Sequence, residues 1–287
     1  MIRFKAILVT QMKTAKRLMT SPVLVIVLLF SMALCLFALQ RGQLIPRSQY
    51  NQRSQYSTEQ SGPSEFYFSR LRYNSGYTSG ASFGYRGFRG GWSQDFPRAD
   101  NDCLIVLRRL TRIDAPAPLN VVDIDNDEIY NFPWIYAVGV NTWGFNDAEA
   151  YRLRDYLQRG GFLMVDHFHG EDDWNRFMMG MNMVLPNAIV EDLPDDDPIY
   201  HVLYNIDEKF QIPGEVYVNT GRTYEKDGFV PRWRGIRDAK GRVMVAICAN
   251  MHLGDAWEWA NTPDYPEKFS GLAFRVVINY IAYSMTH

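Results

Sequence analysis

Two near-continuous apolar runs, "WIYAVGV" at 134–140 and "FLMVDHF" at 162–168, flank a patterned helical stretch, "NDAEAYRLRDYLQRG", at 146–160. Strands that are apolar on both faces cannot lie against water, so they belong inside a parallel sheet covered by helices on each side. Asn146 reads as the helix cap and Gly160 as its stop. The alternation continues both ways along the chain. Strand "FYFSRLRY" (66–73), helix "ADNDCLIVLRRLTRI" (99–113) and strand "NVVDI" (120–124) precede it. Helix "DDWNRFMMGMNMVL" (172–185), a hairpin over 232–250 turning at Asp238–Gly241, and an apolar closing helix at 268–285 follow it. The pattern predicts an α/β domain over 66–287: three layers, flavodoxin-like, with a mostly parallel sheet and a C-terminal hairpin.

Upstream, Pro22–Leu39 carries no charge over eighteen residues. As a helix it would span roughly 27 Å, against a bilayer core of about 30 Å. Ser21 is a suitable N-cap, and proline is tolerated at the first helical position. A cleaved signal peptide would end in an A-x-A-like site; the nearest triplets, Ala33-Leu34-Cys35 and Leu36-Phe37-Ala38, do not fit. One transmembrane helix at 22–39 is therefore expected. Arg3, Lys5, Lys13, Lys16 and Arg17 precede it, and Arg41, Arg47 and Arg53 follow it, which puts the N-terminus in the cytoplasm. Phe4, Leu8, Met12, Ala15 and Met19 recur at helical spacing, so residues 1–21 read as a cytoplasmic amphipathic segment lying on the membrane. Residues 40–65, rich in Gln, Ser and Arg and containing "RSQY" twice, read as an extended linker. The expected location is the bacterial inner membrane with the large domain periplasmic. The expected partners are the lipid bilayer and other subunits of a membrane complex.

With apolar residues at 47%, charged residues at 22% and a net charge of −2, the chain lacks the basic footprint of a nucleic-acid binder. Its three cysteines form no disulfide framework. A Cys103–Cys248 bridge and a set of buried free thiols are both open.

Sites in such sheets form beyond the carboxyl ends of the strands. Three of those ends are unusually decorated: "NTWGFND" after 134–140, "DHFHGEDDW" at 166–174, and "NMHLGDAWEWA" at 250–260. Asp166, His167 and His252 are the candidate catalytic groups. Trp143, His169, Trp174, Asp255, Trp257 and Trp259 are candidate contacts with a ligand, a glycan or a protein partner. His167, His169 and His252 with a carboxylate would suit zinc or iron. The plainer alternative makes Asp166 a turn cap and His167 a rim residue. No Ser or Cys stands at the elbow after Val165, so a nucleophile mechanism lacks its nucleophile. No cofactor is implied. The acid run "EDLPDDDP" (191–198) reads as a Ca²⁺ site or a solvated turn.

The segments "FYFSRLRY", "WSQDFPRADND", "FPWIYAVGVNTWGFNDAEA", "LRDYLQRGGFLMVDHFHG" and "GRVMVAICANMHLGDAWEWA" resemble a bacterial family catalogued as domain of unknown function 4159, over residues 66–287. More distantly, Gly160-Gly161 with His167, and Gly241-Arg242-Val243 with His252, are similar to positions of trehalose-utilisation-type and class I glutamine-amidotransferase-like domains. The amidotransferase cysteine has no counterpart at the elbow, so that resemblance implies architecture and not glutamine hydrolysis.

Two functions follow as expectations. The first is a membrane-anchored, non-catalytic binding or scaffold module, an accessory subunit of an energy-transducing or envelope assembly. The alternative is a periplasmic hydrolase or carbohydrate-binding protein that uses the His/Asp/Trp crevice.

Overall fold

The computed structural model describes residues 64–74, 91–116 and 119–287. The amphipathic segment, the transmembrane helix and all but the last two residues of the linker lie outside the described residues. Among the described residues, no helix is long and apolar enough to cross a membrane.

Seven strands form one sheet: β1 (Ser69–Arg72), β2 (Asn120–Asp123), β3 (Trp134–Val138), β4 (Phe162–Asp166), β5 (Val190–Asp192), β6 (Arg232–Arg237) and β7 (Val243–Ala249), in the order β2-β1-β3-β4-β7-β6-β5. The five strands from β2 to β7 are mutually parallel, whereas β6 and β5 extend the sheet in antiparallel fashion. The chain winds outward from β1 in both directions, so the strand order reverses between β1 and β3. A reversal of that kind opens a crevice at the carboxyl edge of the sheet.

Helices cover both faces. Along β3, Trp134, Tyr136 and Val138 face one side, while Ile135 and Ala137 face the other, the two-residue period of a strand. The first side packs on α1 (Arg98–Leu110), α5 (Leu253–Glu258) and α6 (Glu267–Thr286). The second packs on α2 (Asp147–Gln158) and α3 (Gly170–Val184). A short helix, α4 (Val216–Thr220), lies between β5 and β6. Its five residues, the three of β5 and the six of α5 carry too little periodicity to be read from sequence.

The longer elements follow their local chemistry. Asn146 accepts the Ala148 and Glu149 amides while Glu149 reaches back to the Asn146 amide, a complete capping box. The β6–β7 hairpin turns where expected, with the Asp238 carboxylate accepting the amides of Lys240 and Arg242. Arg242 then reaches across to the Leu157, Gly160 and Gly161 carbonyls and closes the end of α2. Cys103 and Cys248 are free and buried, which settles the open question of a bridge between them. The acid run 191–198 is taken up by ion pairs: Glu191 and Asp197 with Arg237, Asp192 with Arg234, Asp195 with Lys209.

Candidate functional site

Strands β3, β4 and β7 end level with one another, because Val138 pairs with Asp166 and Asp166 with Cys248. Each run then breaks through a left-handed residue: Gly139 (φ +63°), His167 (φ +63°) and Asn250 (φ +62°). The breaks at Gly139 and His167 end β3 and β4 two residues earlier than their apolar runs predict, and all three turn the chain at one edge of the sheet. His167 itself makes the β4 break, so His167 and His169 do not continue a strand. Their ring centroids lie 5.9 Å apart, and His252 comes up from the β7 end to 3.3 Å from His167 and 5.5 Å from His169. Ligand atoms of the three rings all fall within 4.8 Å of one another.

The surroundings isolate these rings from ordinary partners. His169 is 4% exposed and neither of its ring nitrogens has a hydrogen-bond partner. His252 is 3% exposed with Nδ1 unpartnered. His167 has Nε2 at 2.7 Å from the Gln94 amide nitrogen, while Nδ1 is open. Eleven buried side-chain nitrogen and oxygen atoms lack a partner among the described residues, and six of them are here, on Asp95, Asp166, His167, His169 and His252. Buried polar groups are almost always satisfied, by protein or by ordered water, so these atoms offer bonding capacity to a water, an ion or a ligand.

Electrostatics agree with that reading. Burial, reinforced by neighbouring histidines, drives the His169 pKa down to about 3 and that of His252 well below its usual value. Both rings are therefore neutral at physiological pH with lone pairs free to coordinate. Asp166, wholly buried at the end of β4, has its carboxyl raised to about 6 by burial, against the Gly254 amide and Tyr136 hydroxyl that donate to Oδ2 at 3.0 and 2.9 Å. Burial also raises Asp255, and the negative charge of Asp95 adds to it. For Asp95 the burial effect is outweighed by His167 and Arg70, and its carboxyl is held below the ordinary range.

Several contributors were not foreseen. Gln94 and Asp95 sit in the loop before α1, over seventy residues upstream of His167. Glu225, with Oε1 3.9 Å from His252 Nε2, sits in the long β5–β6 connection. That connection passes so close that a Cβ on Gly214 would lie 2.3 Å from Asp255 Oδ2 and 2.7 Å from His252 Cδ2. The fully buried pair Arg70–Asp100 anchors the loop, with Arg70 Nη1 donating to the Gln94 carbonyl at 3.3 Å. "WSQDFPRADND" holds most of these residues, but no spacing rule ties a loop aspartate to a distant histidine.

The aromatic expectation needs correction. Trp143 is buried on the α2/α3 face, where it stacks on Phe177 and donates to its carbonyl. Trp257 is fully buried against Tyr136 on the opposite face. Large rings beside a strand end completed the core here and do not line an open crevice. Trp174 and Trp259 are half-buried. Trp174 borders a shallow groove with Gly170, Glu171, Asp227, Arg232 and Arg234, and its ring is covered by the Arg234 guanidinium at 4.7 Å.

Residues 68–285 match the model of the family described as Domain of unknown function (DUF4159). The chain belongs to the DUF4159 family. No curated protein matches it. In this DUF4159 domain His167-Phe168-His169 connects Asp166 at the end of β4 to Gly170 at the start of α3, and its two cysteines lie inside the core, Cys103 on α1 and Cys248 on β7. Burial raises both thiols well above their ordinary range, so neither serves as a ready nucleophile.

Proposed function

We propose that this DUF4159 domain is a metal-dependent hydrolase, with His167, His169 and His252 as the ligands of a zinc- or iron-class ion. The observation that carries the proposal is the gathering of six unpartnered buried polar atoms on one cluster at the carboxyl edge of the sheet. Three imidazoles, two of them held neutral by burial at His169 and His252, form a suitable donor set for such an ion. A bound ion of this class supplies Lewis acidity at a scissile carbonyl or phosphoryl group and makes water a better nucleophile. Asp166, with an unpartnered Oδ1 and a carboxyl raised to about 6, is suited to accept or return a proton near neutral pH. Gln94 reaches His167 Nε2, and a flip of its side-chain amide that brings Oε1 to that nitrogen would let it accept the ring N–H and leave Nδ1 to ligate. In fold terms we read the sheet as flavodoxin-like, because its parallel strands run β2-β1-β3-β4-β7.

The membrane placement remains part of the proposal, on the sequence of residues 1–39: an anchored enzyme whose catalytic domain is periplasmic, in company with other subunits. The burial of Trp143 and Trp257 removes two of the contacts on which a purely scaffolding role relied, and it weakens a glycan platform equally.

The test is to purify the full chain in mild detergent, determine its metal content, and assay chromogenic esters and phosphoesters. Stoichiometric zinc or iron, lost with the hydrolytic activity in His169→Ala, is the expected result. A wild-type protein that retains no metal after exposure to zinc would overturn the proposal. Co-purification of a fixed set of other chains would support the accessory-subunit placement, and a lone chain would count against it.

A further inference from the structure

A second set of donor atoms adjoins the three histidines. Asp95 Oδ2, which has no hydrogen-bond partner, lies 3.7 Å from His167 Nδ1 and 4.0 Å from His252 Nδ1. Asp255 Oδ2 lies 3.5 Å from the same His252 Nδ1 and accepts the Glu215 amide at 2.6 Å. His252 and Asp255 are 3% and 6% exposed.

The spacing is informative. Hydrogen bonds between such atoms would bring them to about 2.7–3.2 Å. None does so, although a neutral imidazole and a carboxylate buried together gain considerably from pairing. Atoms bound to one ion at about 2.0–2.2 Å sit instead roughly 3.3–3.6 Å apart in a tetrahedral shell. Within this set the Asp255–His252 separation of 3.5 Å matches that edge length and the Asp95–His252 separation of 4.0 Å is a few tenths of an ångström longer; both lie outside hydrogen-bond range. Charge points the same way. The carboxyl groups of Asp95 and Asp255 lie close enough to share a hydrogen bond, with the proton on Asp255, and a cation bound here would take the place of that proton.

The geometry points to a second divalent-cation site formed by Asp95, Asp255 and Nδ1 of His252, making a two-ion centre with His252 serving both positions. This rests on the three-histidine reading of the first ion. With both ring nitrogens coordinated, His252 gives up its ring proton to solvent, and the imidazolate with two carboxylates supplies three negative charges against two divalent ions. The mixed imidazole and carboxylate donors suit zinc, manganese or ferrous iron better than calcium. A pair of ions favours substrates that place oxygens on both, which selects phosphoesters or carboxylate-bearing amides over simple esters.

The experiment uses the full chain in detergent, stripped with chelator and reconstituted with zinc alone, with bound zinc counted by elemental analysis after desalting. Two equivalents in the wild type, falling to one in Asp255→Asn and in Asp95→Asn, are expected. Circular dichroism confirms folding for each variant, and the loop position of Asp95 keeps the test open if Asp255→Asn does not fold. One equivalent in the wild type, unchanged in both aspartate variants and removed by His169→Ala, overturns the second site and leaves the three-histidine site standing. Two equivalents untouched by either aspartate variant also overturn it. No zinc at all overturns both.

Discussion

Arg70 of β1 and Asp100 of α1 form an ion pair with no solvent exposure on either side chain. The guanidinium also lies 4.6 Å from the centre of the Tyr136 ring and donates to the Gln94 carbonyl. The pair thus ties a helix to the sheet and, through one further bond, holds the loop that carries Gln94 and Asp95. Asp100→Ala leaves a buried guanidinium uncompensated and should destabilise the fold by about 3–5 kcal/mol. Arg70→Met with Asp100→Leu should cost much less than Asp100→Ala alone. Urea denaturation of the three proteins checks both statements, and equal losses for the single and double variants would refute the account.

His169 is expected to trade stability for ligation. Its two buried, unpartnered nitrogens weigh against the metal-free fold. His169→Leu should therefore raise metal-free stability by about 1–2 kcal/mol while abolishing metal retention. Thermal unfolding in the presence of chelator measures the first effect. A destabilised His169→Leu would mean that the ring is held by interactions other than a ligand.

Gly214 should tolerate no side chain. The Cβ of Gly214→Ala meets Asp255 and His252 at 2.3 and 2.7 Å, and one of the three groups must move. A stability loss of about 1–3 kcal/mol is expected from such overpacking, together with weaker metal retention. Unchanged zinc content and melting temperature would show that the connection yields freely.

The hairpin turn predicts a pH dependence. Burial works to raise the Asp238 carboxyl, but the Arg242 and Lys240 amides and the Arg242 guanidinium outweigh it and the pKa is lowered. A lowered carboxylate pKa contributes stability that is complete above the unfolded value of about 3.9 and disappears as the pH falls through the folded value. Asp238→Ala should then be less stable than wild type by about 1–2 kcal/mol at pH 7. The two should converge in strong acid. A difference that persists at pH 2 would assign the effect to packing instead of charge.

Cys103 and Cys248, both buried on one face of the sheet, should be silent to thiol reagents until the domain opens. In a Cys35→Ser background, labelling should proceed at the unfolding rate, with both thiols modified together. Prompt reaction of either in the native protein would contradict the burial described.

The sequence carried the frame because its long elements are locally over-determined. The capping box at Asn146 and Glu149 fixes the start of α2, and the apolar period of β3 and β4 fixes their place inside the sheet. The histidines of the site were visible because they follow strands whose ends could be read. Asp95 and Glu225 were not, since each reaches the cluster from an irregular segment whose path depends on tertiary packing, including the Arg70 anchor. Trp143 and Trp257 failed for a different reason. A ring next to a strand end has the same local pattern whether it turns inward or outward, and only the neighbouring helices decide which face closes over it.

The left-handed break at His167 has an evolutionary consequence. At φ +63° the backbone disfavours most side chains and leaves chiefly glycine, asparagine, aspartate and histidine as comfortable occupants. Apart from glycine, each of these offers a nitrogen or oxygen lone pair. Random drift at this position therefore samples a vocabulary that consists largely of ligands. A turn required for folding can in this way keep a lone-pair side chain at the edge of the sheet independently of what that side chain is used for.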